Sequence, residues 1–134
     1  MQLELALKLA APVHLGLLGA AVLMPRATNL WSEAALMSDF ARTLFRIYYA
    51  FITLCLLSFG VGTWCYANEL ASGAPLARGV CGFLAAFWVV RGVAAILLDV
   101  RPYLTNRWWR VGYATTNIVF SILPFLYGWA ALRT

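Results

Sequence analysis

Residues 76–98 read LARGVCGFLAAFWVVRGVAAILL, an apolar run with one charge, Arg91, well inside it. A bilayer core of ~30 Å takes about 20 residues of α-helix to cross, and this run has that length. Three further runs match it, from Leu3 to Met24, Leu44 to Tyr66 and Trp108 to Leu132. The four take up nearly all of the 134 residues, so 1–134 reads as a single transmembrane domain: an all-α, integral membrane four-helix bundle. Strands are excluded because lipid offers backbone N–H and C=O groups no partner, and a helix satisfies them within itself.

Composition agrees. Apolar residues make up 63% of the chain and charged residues 11%, a balance that excludes an ordinary soluble domain. Aromatic residues gather where the spans should meet headgroups: Phe45, Tyr48 and Tyr49 against Trp64 and Tyr66, and Trp108, Trp109 and Tyr113 against Tyr127 and Trp129. The first run follows Lys8 in the manner of a secretory signal, yet it is long, Glu4 sits in the would-be basic region, and no small-residue cleavage site precedes a polar segment. It is read as a retained span.

The connections carry the charge. Arg26, Arg42, Arg46, Arg101, Arg107 and Arg110 flank the first and third loops, while Lys8, Arg78 and Arg133 lie on the other side. The positive-inside rule then puts both termini outside, and a bacterial inner membrane is the expected location. In the third loop Arg101, Arg107, Trp108, Trp109 and Arg110 interleave cations with rings, a pattern suited to anionic lipid headgroups rather than nucleic acid. In the first loop Asn29 is placed to cap a short interfacial helix through Leu30, Trp31, Ala34, Ala35 and Met37. In the second, Gly73 and Pro75 break the chain between spans two and three, which are expected to form a hairpin.

Counting depth from the inner surface puts one polar residue of each span in a common layer. His14 falls roughly 15 Å up, Arg91 about seven residues up, and Thr53 and Asn117 about nine, at ~1.5 Å per residue. Helical spacing adds Tyr49 to the face of Thr53, and Ser121, Pro124 and Gly128 to the face of Asn117. Two readings stand for this layer. Thr, Ser and Asn hold bundles together by interhelical hydrogen bonds, with Gly16, Gly19, Gly60, Gly79 and Gly82 permitting close approach. Alternatively Arg91, His14, Asn117, Tyr49, Thr53 and Ser121 form a ligand-binding pocket.

Arg91 bears most on the choice, because a charge inside a span costs at least ~2.5 kcal/mol on insertion scales and turns toward a cavity or partner. No acidic residue shares its depth; Asp99 is roughly 12 Å away along the axis. Tyr49, Asn117, backbone carbonyls or the faces of Phe87 and Trp88 are the expected partners, and a lipid phosphate, a quinone-like carbonyl or a substrate anion the expected ligand. The alternative for Arg91 is snorkelling to the surface.

His14 is the single histidine, either a packed, hydrogen-bonded residue or a proton relay. Metal clusters and haem pairs need more ligands than the spans supply, so no metal and no cofactor are expected. Cys65 and Cys81 flank the second loop at similar distances from its turn, which leaves either packing or a disulfide open.

Function is read by elimination. No Ser/His/Asp set, paired carboxylates or metal cluster lies at one depth, which argues against an enzyme. Every Asp and Glu lies near a span end or in a loop, whereas ion-coupled transport would ask for one inside a span. What remains is an accessory or assembly subunit, or a bundle that binds a hydrophobic ligand, working with membrane lipids and with a larger membrane-protein partner or further copies of itself. The alternative is a small transporter, or a lipid- or quinone-handling protein, using the Arg/His/Asn layer.

Overall fold

The computed structural model describes residues 2–133, apart from the side chain of Arg101. It is helical throughout, with no strand among the described residues. Four long helices, α1 (Gln2–Ala27), α3 (Asp39–Cys65), α5 (Pro75–Leu97) and α6 (Arg107–Leu132), are each long and apolar enough to cross a membrane. Two short ones, α2 (Leu30–Ala35) and α4 (Ala67–Leu70), lie in the first and second connections, and a 3₁₀ turn at Arg101–Tyr103 lies in the third.

Local chemistry sets the helix ends. Ser38 caps α3, its hydroxyl accepting from the Ala41 N–H at 3.3 Å, so that helix starts at Asp39 rather than at Leu44. Asn106 does the same for α6, accepting from Trp108 N–H. Pro75 opens α5, where its missing N–H costs nothing. The short helix after Asn29 is present, but Asn29 makes no side-chain cap: it takes a left-handed φ of 52°, which Asn tolerates. Gly73 turns the second connection at φ 75°.

The helices pair in an order the chain does not suggest. α1 packs along α3, α5 along α6, and α1 and α6 join the two pairs, while α4 tucks against α1 and α5. Spans two and three, expected to form a hairpin, are not one of the closely packed pairs. α3 and α5 meet through rings, Phe59 against Phe83 (6.3 Å) and Phe87 (4.9 Å), with α4 in contact with both.

The core lies where α1, α5 and α6 converge, filled by Leu3, Leu7, Leu17, Leu84, Trp88, Leu123 and Tyr127. α3 enters it through Leu56, Gly60 and Thr63 and is otherwise mostly exposed. Of the five glycines expected to permit close approach, Gly60 alone does so tightly: a Cβ there would stand 3.1 Å from His14 Cβ and 3.4 Å from Ala11 O. Gly16, Gly19 and Gly79 face open space.

One end of the bundle gathers both termini and the second connection. Arg78 Nε donates to Ala131 O (2.9 Å), Gly73 lies against Arg133, and Glu4 sits between Lys8 (2.6 Å) and Asn68. The Asn68 amide nitrogen faces the Glu4 oxygens at 2.5 and 3.0 Å, the orientation in which donor meets acceptor. At the opposite end Arg42 pairs with Asp39 and donates to Ala35 O (3.3 Å), and Arg110 Nε donates to Leu104 O (3.1 Å).

Candidate functional site

A row of polar side chains crosses the core at the level of Gly60. His14, fully buried on α1, places Nδ1 2.8 Å from the Ala10 carbonyl of the preceding turn. Its Nε2 lies 3.4 Å from the hydroxyl of Tyr127 on α6, and that hydroxyl lies 2.8 Å from Thr63 Oγ1 on α3. Tyr127 and Thr63 are buried as well. Three helices are thus tied by side chains in a medium where each unmet polar group is costly. Trp88 packs edge-on to the His14 ring at 5.3 Å, and its buried indole N–H has no acceptor among the described residues.

Thr63 also lines a cleft of about 640 Å³, which opens between α3 and α5. Its walls are Ser58, Phe59, Gly62 and Tyr66 from α3 and Ala77, Val80, Phe83 and Leu84 from α5. Glu69, Leu70 and Ser72, from α4 and the turn after it, close the end nearer the termini. No arginine or lysine is among its described lining residues. The cleft is bounded by α4, which contacts both α3 and α5, and by the ring contacts that Phe59 makes with Phe83 and Phe87.

The residues expected in a single polar layer divide between two levels. Arg91 lies over the Phe120 ring, 4.8 Å from its centroid, whereas His14 meets Tyr127 seven residues farther along α6, about 10 Å at the helical rise. Trp88 and Phe120, stacked at 5.7 Å, stand between the two. The depth count missed this because α1 runs on to Ala27 rather than ending at Met24, and its first turns continue beyond α3 to dock on α4. The cation–π partner of Arg91 is on the neighbouring helix, not Phe87 or Trp88 of its own.

The other expected residues lie elsewhere. Tyr49 donates its hydroxyl to the Ala21 carbonyl, tying α3 to α1 beside Trp31 and Phe45. Thr53 donates to Tyr49 O (2.9 Å) and Ser121 to Asn117 O (3.0 Å), both bonds within one helix. Asn117 and Ser121 line a second, smaller cleft of about 530 Å³ between α5 and α6, with Asp99, Tyr113 and Phe120. Arg107, Trp108, Trp109 and Arg110, expected in the third loop, form the first turn of α6, where Arg107, Trp108 and Arg110 are exposed and Trp109 is half-buried; the Arg101 side chain lies outside the described residues.

All three cysteines are free. Cys81 is buried with its thiol 3.9 Å from Leu70 O, while Cys65 is exposed on α3, so the two do not form the disulfide left open by their spacing. Among the described residues no group of His, Cys, Asp and Glu is gathered to hold a metal ion.

Thr63, Tyr127 and Phe120 were not singled out by the sequence as site residues, and Trp88 was named only as a partner for Arg91. Tyr127 sits near the end of an apolar run, where an interface ring is the ordinary reading. A faint signal was available for Thr63: Gly60 and Thr63 are three apart and share one face of the helix. No known family model, curated protein or solved structure matches this chain.

Proposed function

We propose that this protein is an integral membrane bundle that holds a hydrophobic ligand in the cleft between α3 and α5, and serves as a ligand-bearing accessory subunit. The cleft itself carries this reading. It is of the size ligand sites have, its exposed wall is mostly apolar, and a few polar residues stand along it, Ser58, Thr63, Tyr66, Glu69 and Ser72. The exposed apolar faces of α3 and α5, including Phe51, Ile52, Val89 and Val90, suit lipid and a larger membrane partner or a second copy. The arginines and tryptophans around the third connection suit anionic headgroups, and with Arg26, Arg42 and Arg46 they favour termini on the outer side of a bacterial inner membrane.

Gly62 supplies the test. It lines the cleft and a Cβ there would meet nothing within 4 Å, so Gly62→Leu fills the cleft without disturbing the backbone. Native mass spectrometry of the protein gently extracted from its membrane should show a bound small molecule that Gly62→Leu loses. The same bound mass on both forms would overturn the cleft as its seat. A heteromeric mass with no small molecule would leave the assembly role alone.

A further inference from the structure

We infer that the cleft between α3 and α5 selects an amphiphile whose polar head is a neutral hydroxyl, a hydrogen-bond donor, received by Thr63. This rests on the reading of the cleft as a ligand site and names the chemistry of that ligand.

The argument begins at Ala10. Its carbonyl can only accept, so the 2.8 Å contact assigns the proton of His14 to Nδ1. A neutral imidazole, the form that brings no charge into an apolar core, then has only a lone pair on Nε2. Tyr127 must donate its hydroxyl proton to that lone pair across the 3.4 Å contact. With that proton committed, the Tyr127 oxygen accepts from Thr63 at 2.8 Å. Thr63 has then spent its one proton, and what its oxygen still offers is lone pairs.

Every link is thus polarised from the cleft toward Ala10, and the chain ends on a wall residue as an acceptor. Thr63 completes the sequence by receiving a proton donor. A carbonyl, an ether oxygen or a phosphate would meet lone pair with lone pair.

The electrostatics of the cleft agree independently. The charged residue lining it is Glu69, at the end nearer the termini, and no arginine or lysine accompanies it among the described residues. Anionic heads are therefore disfavoured at Thr63 and at Glu69; of the other polar wall residues, Ser72 spends its proton on Glu69 O, and Ser58 and Tyr66 are neutral hydroxyls. The remaining walls, Phe59, Val80, Phe83 and Leu84, fit a hydrocarbon chain.

Two probes of matched length separate donor from acceptor: hexadecanol and hexadecyl methyl ether. Each would be added at equal mole fraction to the full-length protein in nanodiscs and its occupancy read by native mass spectrometry. The alcohol should bind about 3- to 10-fold more tightly than the ether, the range a single net hydrogen bond gives. Thr63→Ser should keep that preference and Thr63→Val should abolish it while still admitting both chains. Tyr127→Phe frees the Thr63 proton to point into the cleft, so it should raise ether binding relative to alcohol, a change a purely structural role would not produce. Equal binding of the two probes, or preference for the ether, in the native protein overturns the inference. If neither probe binds, or if Gly62→Leu binds both as the native protein does, the cleft itself is not the ligand site.

Discussion

Gly60 of α3 lies against His14 of α1 so closely that a Cβ at position 60 would stand 3.1 Å from His14 Cβ. This approach lets α3 bring Thr63 to Tyr127 and so close the polar row from the far side. A branched side chain at 60 has to push the helices apart. Gly60→Val should therefore destabilise the bundle by about 1–3 kcal/mol, the usual cost of overpacking. Unfolding in mixed detergent micelles reads this as a lower midpoint, and a midpoint equal to that of the native protein would show that the approach is not a constraint.

The bond between Thr63 and Tyr127 makes its own prediction. Both groups are buried, and each is left without the other if one is removed. Thr63→Val, Tyr127→Phe and their combination form a double-mutant cycle. Coupling of about 0.6 kcal/mol is expected, with an upper bound near ~1.7, the span such bonds show inside membranes. Additive losses would mean that the two hydroxyls do not act on each other.

Arg91 and Phe120 make a second pair whose coupling is measurable. With the guanidinium 4.8 Å from the ring centroid, Phe120→Leu should cost about 0.5–1 kcal/mol more when Arg91 is present than in an Arg91→Met background. Equal costs in the two backgrounds would assign Arg91 to the membrane surface by snorkelling instead.

The sequence revealed the helices and concealed their partners, for one physical reason. Lipid-exposed and buried faces are both apolar, so Leu54 and Leu56, one exposed and one in the core, look alike in the chain. Run length and the breaks at Gly73 and Pro75 located the spans; nothing of that kind says that α1 prefers α3. His14 and Arg91 were conspicuous because polar residues are rare in such runs. Their levels depended on where α1 stops and how far its first turns reach past α3, which polarity does not report. Tyr127 shows the same limit, since an interface ring and a core hydroxyl near a helix end are spelled identically.

The cysteines offer a test of orientation as well as of covalent state. Cys65 is exposed near the end of α3 that carries the termini, and Cys81 is buried. A membrane-impermeant maleimide applied to intact cells should label Cys65, with Cys81 protected until the protein unfolds. Cys55→Ser with Cys81→Ser leaves Cys65 as the single reporter. Labelling only after the cells are opened would place this end, and both termini, in the cytoplasm.

Gly62 separates stability from function. A glycine inside a helix costs about 0.5–1 kcal/mol relative to alanine, and at this position nothing within 4 Å requires its absent side chain. A bundle selected for stability alone would gain from filling the space between α3 and α5. Gly62→Ala should therefore raise the unfolding midpoint by the equivalent of about 0.5–1 kcal/mol in lipid-free micelles, and Gly62→Leu should not lower it, since position 62 lines the cleft and a Cβ there meets no packed wall. In native membranes the order should reverse if an occupant stabilises the protein, because a ligand that binds only the folded form adds stability that Gly62→Leu forfeits. Comparing the two variants with and without native lipid extract measures this directly. A gain for Gly62→Leu that is the same in both media would show that the cleft contributes nothing by being open.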